Sequence, residues 1–361
     1  MLRAGCHELA GVADHPAIDS TWSPVRADDQ MLPRRGAARS CLQDRIAPPE
    51  VKRKGEAVSD TTAWATTGGM TTPQPGIFAL GTRSHLHLEF DLTGDSEALR
   101  SAVGNIQEAL SPIVGVNAVF GFGTDAWTAL SPGALPDDLA SFEPVVGADG
   151  FTHPSAQHDV WIWLHAGSPD TLFDLGRLCQ KEFRGVAELA SEQNCFAYGA
   201  SKDLTGFEDG TENPPVHEAP EVASIPDGPC AGGSIVLLQR WVHDLEAFDA
   251  KSLADQEKVF GRTRADSIEL DDADADPGSH VQRVVIEDDR GEELEVWRRS
   301  TPYGTLAEHG LMFLAFSQDR DRLRQQLERM AGVDDGVLDL VTTYSTPVAS
   351  AWYLAPPVEL I

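Results

Sequence analysis

Residues 206–214 read Gly-Phe-Glu-Asp-Gly-Thr-Glu-Asn-Pro, and a second proline follows at Pro215. Two glycines, three acids, an amide and a proline pair suit neither helix nor strand. Gly206 and Gly210 permit positive φ, so the chain can turn sharply on both sides of Asp209. Pro214 and Pro215 stiffen the exit. The expected product is a rigid loop presenting the Asp209 carboxylate in one direction, as a general base requires. Three more stretches carry reactive residue types: Gly261-Arg262-Thr263-Arg264, His280 just beyond the acidic run Asp271–Asp276, and Trp297-Arg298-Arg299-Ser300-Thr301-Pro302-Tyr303-Gly304. On a strand, Arg298 and Ser300 share one face and Trp297 and Arg299 the other. A guanidinium and a hydroxyl ahead of a proline break can line a pocket wall. Each stretch also has a plainer reading. A bare Gly-x-x-Asp-Gly is more often a solvent-exposed turn. His280 is one of 11 histidines. Arg262 and the Arg298-Arg299 pair could be salt-bridging surface groups in a chain rich in acids.

The elements that must position these residues follow from periodicity. Ser84–Leu92 alternates, with Leu86, Leu88 and Phe90 on one side and His85, His87 and Glu89 on the other, the pattern of a half-buried strand. Asp95 or Ser96 caps a helix with Leu99, Val103, Ile106 and Leu110 on its apolar face. Strands are expected at Val114–Gly123 and Val160–Leu164. Ser168 and Pro169 start a second helix, with Leu172, Leu175, Leu178, Cys179 and Phe183 inward. After the Asp209 loop the pattern recurs: a strand at Gly233–Trp241, a helix over Leu245–Phe260, and strands at Val281–Ile286 and Leu294–Trp297 around an acidic turn. A buried strand at Leu311–Phe316, a helix begun by Asp319 with Leu323, Leu327 and Met330 on one face, and a strand at Trp352–Leu354 complete it. Two similar halves of strand-helix-strand character predict an α+β fold of tandem ferredoxin-like units, with antiparallel sheets and peripheral helices.

A chain of 361 residues accommodates two domains with real cores, and 41% apolar and 24% charged residues is ordinary globular composition. The net charge of −29 is not ordinary and argues against nucleic acid or an anionic membrane as partner. Five cysteines (Cys6, Cys41, Cys179, Cys195, Cys230), odd in number and without a C-x-x-C, argue for reduced thiols and a cytoplasmic protein. No apolar run approaches the length of a membrane span. Residues 1–69 hold nine basic and nine acidic residues, so residues 70–361 carry all the net charge. Arg34-Arg35 is followed by Gly-Ala-Ala-Arg-Ser-Cys rather than an apolar stretch, unlike a twin-arginine export signal. The N-terminal stretch reads as disordered or as an extension outside the expressed chain, with Met70 as the start. The expected division is 1–75, 76–205 and 206–361.

The ordered set GFEDGTENP (206–214), Ser279-His280-Val281 and RRSTPYG (298–304) strongly resembles the dye-decolourising peroxidases of the bacterial P-type (older B-type) subfamily. FGTDAW (122–127), GGSIVLLQRW (232–241) and STPVASAWYLAP (345–356) extend the likeness from about Gly76 to the end. The resemblance implies two ferredoxin-like domains of the dimeric α/β-barrel superfamily and one haem b per chain. Carried over by motif, Asp209 is the distal acid, His280 the proximal iron ligand and Arg298 the distal arginine. Ser300 takes a distal position and Arg262 lies by a haem propionate, while Gly210, Thr211, Glu212 and Phe313 complete the cofactor-binding set. In some members a C-terminal carboxylate holds the proximal histidine; Val341–Tyr344 offers none, which leaves Asp339 or another group. The implied partners are hydrogen peroxide and a small organic reductant. Trp241, Trp297, Tyr303, Tyr344 and Trp352 are relay candidates, each more readily read as core packing. The resemblance is compatible with a homo-oligomer, with nothing in the sequence to fix its number, and no encapsulin tag is visible at the C-terminus. The alternatives are a haem- or porphyrin-handling enzyme and a non-catalytic haem binder.

Overall fold

The computed structural model describes residues 71–136, 139–199, 201–271 and 275–361. The expectations for residues 1–70 lie outside this range. The first half contains β1 (Ser84–Leu92), α1 (Ser96–Leu110), β2 (Val116–Phe122), α2 (Thr124–Leu130), the short pair β3 (Val145–Val146) and β4 (Thr152–His153), β5 (Val160–Ala166), α3 (Pro169–Glu182) and β6 (Ala187–Phe196). The second half contains α4 (Ala219–Ala223), β7 (Ser234–His243), α5 (Leu245–Asp249), α6 (Leu253–Phe260), α7 (His280–Val284), β8 (Trp297–Arg298), β9 (Thr301–Gly304), β10 (His309–Ser317), α8 (Arg320–Met330) and β11 (Ser345–Ala355). The fold is α+β, as expected.

Strands from both halves form one sheet in the order β7-β11-β2-β5-β1-β6-β9-β10-β8. Because β7 also pairs with β10, the first eight strands of that order close into a ring. The halves are joined at two seams, Leu354 opposite Phe122 and Cys195 opposite Tyr303. Closure gives every strand an inner and an outer face. On the outer face Leu86, Leu88, Phe90, Ile162 and Leu164 pack against Leu99, Val103, Leu172 and Cys179 of α1 and α3. The inner face of β1 is not solvated as the alternation suggested: His85, His87 and Glu89 are 4%, 1% and 7% exposed. They lie inside the barrel with Trp161 and Trp163, whose indole N–H groups donate to His87 Nδ1 and His85 Nδ1 at 3.2 and 3.3 Å. Alternation marks two environments, and here the second environment is a polar interior rather than water.

Other elements depart from the sequence reading. The helix expected over Leu245–Phe260 is two helices, because Ser252 restarts it, its hydroxyl accepting the Asp255 amide at 3.2 Å. Val281–Ile286 is not a strand; α7 covers most of it. Its β-branched run favours a strand by propensity, but Val281, Val284 and Val285 also stand at helical spacing. Packing settles the matter: Arg283 of α7 is buried, ion-paired with Asp335 at 2.7 Å and bonded to the carbonyl of Arg329. Strands β6 and most of β11 had no clear periodic signal.

Candidate functional site

A cavity of about 1490 Å³, counting its open mouth, lies between the outer faces of β7 and β10, the Asp209 loop and helices α6, α7 and α8. Its wall includes Asp209, Gly210, Thr211, Glu212, Arg262, His280, Arg298 and Phe313. Eight of the nine expected site residues are therefore brought together. Ser300 is the exception: β8 ends at Arg298, the alternation breaks there, and the Ser300 hydroxyl accepts the Leu314 amide at 3.3 Å.

His280 opens α7, with Ser279 at the cap position. Gly261, at φ +76°, lets the preceding chain approach so closely that a Cβ there would sit 2.4 Å from Val281. The His280 ring is edge-on to Phe260, and its Nδ1–H donates to Asp339 Oδ2 at 2.7 Å. Asp339 is fully buried, and its other oxygen accepts the Val341 amide at 2.9 Å. A fixed carboxylate on Nδ1 sets the tautomer and leaves the Nε2 lone pair available to a metal.

The Asp209 loop is held from several sides. Gly206 and Gly210 both adopt φ +86°, as the turn chemistry required. Asp203 accepts the Gly206 amide through its carbonyl, and its own amide donates to Phe207. Phe207 stacks on Phe260 at 4.0 Å. Asn213, which the sequence reading passed over, clips the loop to the arginine strand: its side chain donates to the Arg298 carbonyl and accepts the Arg298 amide, both at 2.8 Å. The Arg298 Nε is buried with no hydrogen-bond partner. A buried guanidinium N–H without an acceptor is costly unless a ligand supplies one.

A second chain of hydrogen bonds was also missed. Asp203, His243 and Ser345 all line the cavity, His243 bridging Asp203 at 3.0 Å and Ser345 at 2.6 Å. Burial alone would raise the Asp203 pKa, but the bonds from His243 and Thr205 outweigh it and hold it low. Glu293 on the same wall is pushed up, by burial first and by the nearby Glu212 second. Arg262 is engaged by Glu212 and Glu269, so it enters the cavity already neutralised.

Similarity to known proteins decides the family. Residues 74–197 match the N-terminal and residues 200–360 the C-terminal domain of Dyp-type peroxidases. The chain belongs to the Dyp-type peroxidase family. It is an oxidoreductase acting on peroxide. A dye-decolorizing peroxidase of Mycobacterium tuberculosis is 32% identical over 308 residues, covering 80% of this chain and 90% of that relative. The dye-decolorizing protein of Vibrio cholerae is similar in structure at a TM-score of 0.73 and 34% identity, over 80% of this chain and 98% of that one. A variant of Rhodococcus jostii RHA1 DypB in complex with heme gives a TM-score of 0.74 at 28% identity, over 80% and 97%.

Of the relay candidates in this Dyp-type peroxidase, Trp241 and Tyr344 line the cavity. Trp297 and Tyr303 face the barrel interior, and Trp352 packs on Phe142 in the outer core. No helix among the described residues is long and apolar enough to cross a membrane.

Proposed function

We propose that this chain is a haem b peroxidase that reduces hydrogen peroxide and oxidises a small organic reductant one electron at a time. In this reading His280 holds the iron through Nε2 and Asp339 orients the ring. The donor set suits the group: an imidazole with its second nitrogen committed, a large cavity with apolar walls at Leu237, Leu311 and Phe313, and an unsatisfied Arg298 Nε. Haem, when bound, would supply the two-electron redox chemistry. The chain's residues do the rest. The Asp209 carboxylate takes the proton from one peroxide oxygen and returns it to the other. Arg298 donates to the oxygen on which charge develops. Asn213 fixes the Asp209 loop against Arg298, and Arg262 with Glu212 borders the cofactor edge. We assign residues 76–205 to the scaffold half and residues 206–361 to the haem-binding half.

The observation that carries this reading is the His280–Asp339 pair in the same cavity wall as Asp209 and Arg298, whose Nε is buried without a hydrogen-bond partner. Asp209→Asn and Arg298→Leu should retain haem yet react with peroxide about 10²–10⁴-fold more slowly in stopped flow, the range for removal of an acid–base group or a charge-stabilising donor. Rates equal to the parent in both variants would overturn the roles. Peroxidase turnover that survives Asp209→Asn while dye oxidation scales with free haem would favour a haem binder instead.

A further inference from the structure

A second cavity opens at one mouth of the barrel, away from His280. It encloses about 870 Å³, counting its open mouth, and is lined by residues of β1, β6, β7, β10 and β11 with Ala156 and His158 at the rim. Barrel mouths are habitual sites for small ligands, and this volume lies within the usual range of about 300–1,000 Å³.

One group in it is out of balance. Arg240 projects inward from β7, between Met312 on β10 and Ala349 on β11. Its Nε is buried with no hydrogen-bond partner, and its guanidinium makes no salt bridge among the described residues. The other charged groups around it are committed. Glu89 accepts the Tyr353 hydroxyl at 2.7 Å, and burial raises its pKa. His158 is paired with Asp91 at 2.8 Å. Glu192 is solvent-exposed and accepts from Asn194 at 3.3 Å. Tyr303, whose hydroxyl is also buried without a partner, feels the Arg240 charge. Two other deeply placed arginines are satisfied: Arg283 by Asp335 and a carbonyl, and Arg299 by the carbonyls of Ile77 and Ala79. Arg240 shares its unsatisfied Nε with Arg298, the arginine of the peroxide-facing cavity.

We propose that the barrel mouth binds a small organic monocarboxylate, its carboxylate on the Arg240 guanidinium and its apolar body on Leu238, Met312, Val348 and Ala351. A planar fork of N–H donors matches a carboxylate in bidentate geometry. The wall beside the guanidinium is mixed, with Leu238, Met312, Val348 and Ala351 on an apolar strip and Ser191, Ser350 and Glu192 among its polar groups, so a small acid with one apolar face suits it better than a bare inorganic anion. Glu89 lies near enough for its charge to be felt by Arg240, but among the described residues it makes no hydrogen bond or ion pair with the guanidinium.

Isothermal titration of the haem-loaded protein with benzoate, acetate and inorganic phosphate at fixed ionic strength tests this. Benzoate should bind saturably, more tightly than acetate or phosphate, without moving the Soret band. Arg240→Gln should weaken it at least tenfold. Ala349→Leu, which narrows the mouth without touching the charge, should weaken it as well and serves if the arginine variant does not fold. Three results would overturn the site: no saturable benzoate binding, binding undiminished in the variants, or binding that displaces the Soret band and so belongs to the haem cavity. Phosphate binding as tight as benzoate would overturn the organic-acid assignment.

Discussion

The two halves of the molecule use the outer face of the same barrel in opposite ways. In the first half, β1 and β5 send out Leu86, Leu88, Phe90, Ile162 and Leu164, and α1 and α3 fill the space above them with Leu99, Val103, Leu172, Leu175 and Phe183. In the second half, β7 and β10 send out Leu237, Gln239, Trp241, Leu311 and Phe313, and the helices stand off to leave a cavity. One half is a filled core and the other lines a cavity. Burying apolar walls against nothing forfeits dispersion contacts and about 25 cal/mol per Å² of burial. A large prosthetic group seated there, as in the proposed haem site, would restore both.

The comparison can be broken most sharply at His280. His280→Ala should abolish stable haem retention, read as loss of the Soret band on desalting, while the barrel stays folded. A full Soret band with unchanged ligation would remove His280 from its role. The first half should respond in the converse manner. Leu164→Ala opens a cavity in a filled core and should cost about 2–5 kcal/mol in denaturant unfolding, with the Soret band of folded protein unchanged. A haem spectrum altered by Leu164→Ala would show that the halves are not so divided. Asp339→Asn keeps the shape but weakens the bond to His280. It should raise the iron reduction potential in spectroelectrochemistry and change affinity or activity about 10–100-fold; an unmoved potential would count against orientation by Asp339.

The smallest expected effect is on pH dependence, and it comes from the barrel interior. Burial lowers His85 to about 4 and His165 to about 3, with the Arg299 charge adding to the shift in each. Both are below the unfolded value of about 6.5, so between these limits the unfolded chain binds more protons. Stability from these groups is fully present above about pH 6.5 and is lost as pH falls, at up to about 1.4 kcal/mol per pH unit for each histidine. His165→Gln should flatten the acid limb of thermal stability between pH 6 and 4. An unchanged slope would show that His165 does not titrate on unfolding.

Much of this was legible in the sequence, for identifiable reasons. The Asp209 loop is local turn chemistry, so Gly206 and Gly210 disclosed their φ angles in advance. α8 is short-range too: Asp319 caps it and Leu323, Leu327 and Met330 face inward, as their spacing required. What escaped depends on long-range closure. The alternation in β1 could not reveal that its polar face is enclosed, because enclosure comes from β10 meeting β7. α7 reads as a strand until the contacts of Arg283 are known. Asn213 carried a signal as an amide in a loop of acids, but its partner lies 85 residues away on β8. Ser300 takes its distal position from the motif resemblance, and the shared face with Arg298 expected of a continuous strand is not formed, because β8 stops two residues earlier.

The reading to test is the proposal that the cavity of the second half is a peroxide-reducing haem site. Its most direct test is the absorption spectrum of the haem-loaded protein before and after one equivalent of hydrogen peroxide. A ferric Soret band should convert within milliseconds to the spectrum of the two-electron-oxidised enzyme and return on adding an organic reductant. A band that peroxide merely bleaches, or no Soret band after haem is supplied, would contradict it.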